Sequence, residues 1–137
     1  MDIKTLLENL FFIGIVTDLF PKQGMAVVKM PDHDDKPTEK LFVLQRGTTR
    51  TKHFWMPAID DQVLCIRTPN FSGKGMGEGF ILGAIYSDED LPIEDDAETR
   101  SIVFPDGSYI RCKNGEISIH AEKHLELTSK RIDINYD

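Results

Sequence analysis

Six aliphatic residues near the C-terminus constrain this chain more than any others: Ile117 and Ile119, Leu125 and Leu127, Ile132 and Ile134. They come as couplets with a spacing of two, which puts both side chains of a pair on one face of a strand. The couplets recur after eight and then seven residues, separated by the polar runs His120–His124 and Thr128–Arg131, which suit corners and exposed faces. This is a short β repeat. A segment running only from 99 to 137 cannot bury a core of its own, because a lone meander of that size is marginal in water. Units of this kind become stable by stacking into a continuous core. With so few repeats per chain, the pattern predicts that the missing units come from other copies. Three chains would supply the faces of a prism, with the six aliphatic residues on its axis. The competing expectation is that the couplets pack on the rest of their own chain.

The residues ahead of the repeat divide into recognisable parts. Residues 1–11 place Leu6, Leu7, Leu10 and Phe11 on one face of a short helix, with Asp2 able to cap it. So short a helix must dock, on its own domain or on a neighbouring subunit. Over 12–87 the pattern changes to strands. Phe12–Thr17 and Met25–Met30 form a hairpin around the turn Phe20–Gly24, and Leu41–Leu44 is a third strand. Gln62–Arg67 is a fourth, the most apolar and read as central, and Phe80–Tyr86 is a fifth. Pro31–Lys40, with two prolines and no apolar residue, reads as a mobile loop. The whole reads as all-β: a short N-terminal helix, a five-stranded barrel of the OB type, then the repeat. Residues 88–98 are acidic and contain Pro92, the composition of a linker. After it, Asp106-Gly107 and Asn114-Gly115 mark tight reversals between short strands.

Composition removes several function classes. A net charge of −7 argues against a general nucleic-acid binder, which needs clustered Lys and Arg. Cys65 and Cys112 lie far apart within alternating apolar runs and read as small buried hydrophobes. No secretory signal is expected, and no apolar run approaches the ~20 residues of a membrane-spanning helix. The glycine-rich stretch Gly73–Gly79 lacks the P-loop order and precedes a strand, so it reads as a hairpin loop. Arg46, Arg50 and Lys52, beside His53, Phe54 and Trp55, form the best candidate for a nucleic-acid patch, because OB-folds bind single strands by charge and stacking. Trp55 is followed by Pro57 in an apolar run, which favours core or subunit packing. Asp88, Glu89, Asp90, Glu94, Asp95 and Asp96 sit in a solvated linker rather than an apolar cleft, so no glycosidase pair is expected. Four scattered histidines support no Ser-His-Asp arrangement; His120 and His124 read as solvated. No enzyme activity, metal or cofactor is expected.

The order of parts resembles the baseplate assembly protein V, or central tail-spike, family of contractile-tail phages and related injection machines. Phe12-Ile-Gly-Ile-Val-Thr followed by Met25-Ala-Val-Val-Lys-Met is similar to that family's first hairpin. His53-Phe-Trp-Met-Pro-Ala resembles its Trp-Pro segment, and Asp60-Asp61-Gln62-Val63-Leu64 its G-x-x-V-L strand, with Asp60 in place of the common Gly. Gly79-Phe-Ile-Leu-Gly-Ala-Ile-Tyr resembles its Leu-Gly strand, and Asp106-Gly-Ser opens the tail. The resemblance implies a homotrimer with an OB-fold collar on the tail hub and an intertwined β-helical needle that pierces the host envelope when the sheath contracts. It implies location in the virion tail after assembly in the host cytoplasm. Its partners would be hub and baseplate proteins, with Arg46, Arg50 and Lys52 available to dock an acidic neighbour. The His-x-His iron apex of larger members is absent from this sequence, which implies a blunt spike or a separate tip protein. A lysozyme insert has no room in 137 residues. The alternative from another class is an OB-fold module that binds single-stranded nucleic acid or oligosaccharide.

Overall fold

The computed structural model describes residues 2–69 and 76–137. Its internal contacts divide it into two units, Met1–Leu91 and Pro92–Asp137. In the first, α1 (Ile3–Leu10) starts at Asp2, whose carboxylate accepts the Thr5 N–H at 2.7 Å. That bond satisfies one of the helix's unpaired amides and holds the Asp2 carboxyl below its ordinary range. The helix packs along two strands of the same unit, β1 (Phe11–Phe20) and β5 (Gln62–Pro69).

β1 reverses through a 3-10 turn at Pro21–Gln23 into β2 (Met25–Met30). The reversal ends on Gly24, whose φ of 66° suits glycine. β2 pairs with a two-residue strand β3 (Lys36–Pro37) and with β4 (Leu41–Val43). β4 runs parallel to β6 (Met76–Ile85), β6 pairs with β5, β5 with β1, and β1 with β2. The ring β1-β5-β6-β4-β2 therefore closes, giving a five-strand barrel consistent with an OB-fold, with β3 as an outer addition. In a closed ring β5 is not central; it is one wall among five. Three register shifts, between Val16 and Asp18, between Leu64 and Cys65 and between Arg67 and Pro69, help the wall bend so that it can close. Thr17 is the extra residue in β1 and Leu82 the extra residue in β6.

Inside the barrel, Val16, Val28, Leu41, Val63, Cys65 and Ile81 are fully buried. Strand alternation places them there, one side chain in two. Burial pushes the Cys65 thiol up to about 12, against a smaller opposing effect of Arg67, so it stays a neutral hydrophobe. Trp55 and Met56 pack against this core from the β4–β5 connection. Gln45 fixes that connection. Its amide accepts the Trp55 N–H at 3.0 Å and donates to the Trp55 carbonyl at 2.9 Å, while the indole N–H donates to the Leu44 carbonyl at 2.8 Å. Gln45→Ala is expected to cost about 2 kcal/mol through the two lost bonds. A lower urea midpoint and red-shifted Trp55 fluorescence would report it.

Two sequence expectations change here. Pro31–Lys40 is not a mobile loop. It folds as a 3-10 turn (Pro31–His33) and β3, and Thr38 is buried. The Thr38 amide donates to the Val28 carbonyl at 2.8 Å, and its hydroxyl accepts the Val28 N–H at 3.2 Å. A side chain thus continues the β2 ladder where apolar patterning gave no signal. The fifth strand begins at Met76, earlier than expected. The glycine-rich stretch consequently divides between residues outside the described set and the paired start of β6. At Asp60, φ is +75° in a turn closed by the Asp61 N–H on the Ala58 carbonyl at 3.1 Å. Glycine fits such a position best and Asp tolerates it, which accounts for the residue type there.

The second unit is a meander of β7 (Arg100–Val103), β8 (Tyr109–Lys113) and β9 (Glu116–His120). Asn114 and Gly115 both have positive φ, 53° and 79°, so they form the two-residue turn whose twist matches a hairpin. That turn fixes the pairs Cys112↔Ile117 and Ile110↔Ile119. Residues 121–137 contain no helix or strand. Of the three couplets expected on strands, only Ile117/Ile119 lies on one. Leu125/Leu127 and Ile132/Ile134 have no ladder partner within the single chain.

Candidate functional site

The two faces of the meander differ in what covers them. On one, Ser101, Arg111 and Ser118 form one row and Val103, Tyr109 and His120 the next. Glu94 closes over this face with a bidentate bridge to Arg111, at 2.9 and 2.7 Å. The Tyr109 and His120 rings lie 5.1 Å apart, and His120 approaches Glu122 at 3.3 Å. Asp96 caps the buried Thr99, accepting its N–H at 3.3 Å and its hydroxyl, along with the Glu98 N–H at 2.6 Å. Glu94 is therefore tied to Arg111 in β8, and Asp96 to Glu98 and Thr99 just ahead of β7, rather than free in solvent.

The Arg111 hydrogen bonds and charge hold the Glu94 carboxyl below its ordinary value near 4.5. A carboxyl depressed in the folded state stabilises that state fully above its unfolded pKa. The contribution is lost as pH falls through the lower folded value. Acidification is expected to weaken amide-exchange protection in β8. Glu94→Gln should give less protection at neutral pH and a flatter dependence on acid.

The other face is apolar and open. Ile102, Ile110 and Ile119 stand in one row across the three strands, with Cys112 and Ile117 in the next. All are exposed, Ile117 by 75%. The later couplets are open as well, Leu127 by 72% and Ile134 by 93%. The single chain leaves all six couplet residues uncovered. Cys112, expected to be buried, is exposed because it belongs to this uncovered face. Ile102 and Ile110 were missed as members of the set. Their signal was available, since the Asn114-Gly115 turn fixes the register that aligns Ile110 with Ile119.

In the first unit, Arg46, Arg50 and Lys52 are exposed in the β4–β5 connection, and none forms an ion pair among the described residues. Phe54 beside them is 72% exposed, while Trp55 is half-buried and packs against the barrel core. Among the described residues no group of three His, Cys, Asp or Glu is arranged to hold a metal ion. No helix among them is long and apolar enough to cross a membrane.

These elements define the class: a mostly-β chain with one short N-terminal helix, a closed five-strand barrel consistent with an OB-fold, and a three-stranded meander with one uncovered apolar face. No protein-family model and no curated protein sequence matches it.

Proposed function

We propose that this chain is a structural component of a contractile-tail baseplate, a homotrimeric central spike that caps the tail hub and pierces the host envelope on sheath contraction. The observation that carries the reading is the uncovered apolar set of the second unit. Ile117, Ile119, Leu125, Leu127, Ile132 and Ile134, joined by Ile102 and Ile110, have nothing over them in one chain. Ile102, Ile110, Ile117 and Ile119 lie side by side on one sheet face, and soluble monomers rarely expose large contiguous apolar patches. Three copies that share strands would cover these residues and supply ladder partners for residues 121–137. A needle built that way has no long free edge and resists unfolding under load. The order of sequence parts resembling the baseplate V family supports the same reading. In it the chain acts in the virion tail, no residue has a catalytic role, and Arg46, Arg50 and Lys52 dock an acidic face of the hub. The needle would end as a blunt spike or be closed by a separate tip protein.

Native mass spectrometry and sedimentation test it. A trimer at micromolar concentration that survives SDS without boiling is the expected result, with no gel shift of single-stranded DNA at moderate salt. A stable monomer that binds single-stranded DNA or an oligosaccharide would replace this reading with an OB-fold binding module.

A further inference from the structure

The barrel has an apolar surface of its own on the outside of its wall. Phe11, Ile66, Phe80 and Phe42 stand in one row across β1, β5, β6 and β4, set by the pairs Phe11↔Ile66, Ile66↔Phe80 and Phe42↔Phe80. The Phe42 and Phe80 rings stack at 5.7 Å. Strand alternation sends these residues outward because their neighbours Phe12, Cys65, Ile81, Leu41 and Val43 fill the core. α1 packs near β1 and β5 at one end of this belt, and at the β4–β6 end Phe42, Leu44 and Leu82 are exposed. The helix itself is half used. Leu6 and Leu10 are half-buried, but Ile3 and Leu7, one turn apart on the flank of the same apolar stripe, face solvent, as does Phe11.

We propose that the Ile3/Leu7 flank of α1 in one protomer packs on Phe42, Leu44 and Leu82 of the next, joining the barrels head to tail around the three-fold axis. This inference rests on the trimeric reading above and adds the barrel to its interface. The occupant is a second copy because the chain carries both halves of the contact, an open helix flank at one end of the belt and an open strand pair at the other. Two different patches that meet head to tail form a heterologous contact, which closes into a ring when the rotation between copies is a third of a turn. The area suffices. Ile3, Leu7 and Phe11 on one side and Phe42, Leu44 and Leu82 on the other are between 37% and 76% exposed, which leaves at most roughly 600 Å² of apolar surface at about 200 Å² per side chain. A biological contact buries at least about 1,000 Å², a little over half of it apolar.

The test is a photo-crosslinking amino acid at position 3 or 7 of the full chain, activated in mixed trimers assembled by unfolding unlabelled and 15N-labelled protein and refolding them together. Ile3 and Leu7 are exposed, so the replacement leaves the barrel core intact. Mixed-isotope crosslinks from these positions to β4 or β6 peptides are expected. A second variant, Phe42→Asp, should reduce the crosslink yield several-fold while circular dichroism stays that of a folded barrel. A trimer that gives no such crosslink overturns this contact and leaves the spike reading standing, with the belt then serving another baseplate protein. A monomer in sedimentation overturns both.

Discussion

Ile119→Asp and Leu127→Asp are expected to give a soluble, folded chain that no longer assembles. Both side chains are open in the single chain, so each substitution should change the stability of one chain by no more than about 0.5 kcal/mol. In the proposed trimer the same change would place three carboxylates around the axis, in the interior of the needle. Desolvating each costs several kcal/mol, and like charges add to the cost. The readouts are sedimentation velocity for assembly and circular dichroism for folding. Loss of the trimer with an intact barrel spectrum is expected. If either variant remains a trimer with unchanged melting, these residues do not form the axial core. Ser118→Asp, on the opposite face of β9, is the control and should assemble normally.

Leu41→Ala is expected to destabilise the barrel by about 3 kcal/mol, and Gly79→Ala by about 2 kcal/mol, with the pair costing clearly less than the sum. Leu41 is fully buried, and its truncation leaves a cavity that a closed ring of strands collapses poorly. Gly79 explains why so large a residue fits there. A Cβ added at Gly79 would stand 2.5 Å from Leu41 Cδ2 and 3.3 Å from Arg67 Cγ. Leu41 thus occupies space that Gly79 leaves vacant across the parallel β4–β6 pairing. In the double variant the added methyl partly refills the cavity, so the two changes offset each other. Urea unfolding of the four proteins measures the cycle. Additive costs would mean that the two residues do not share this space.

Much of the barrel was legible because it is written in period two. Phe12, Val16, Val28, Val63, Cys65 and Ile81 sit in alternating runs, and alternation alone sends them inward. Asp2 and the Asn114-Gly115 turn were legible for the same local reason, since a cap and a turn are decided by a few neighbouring residues. Thr38 and Gln45 were not. Each acts through hydrogen bonds to backbone ten residues away, and no short-range pattern marks that pairing. The outer belt was also hidden. Phe11, Ile66, Phe80 and Phe42 are scattered through the sequence and become one row only when four strands are placed in register.

The tail repeat shows where these two kinds of information part. The sequence by itself determined that Ile117 to Ile134 come as couplets with one apolar face. This follows from side-chain spacing. Only the tertiary structure decided that the first couplet is joined by Ile102 and Ile110 on an open sheet face, and that residues 121–137 find no ladder partner within the chain. Register between strands is a long-range property, fixed by turns and pairing together, so spacing alone could not supply it.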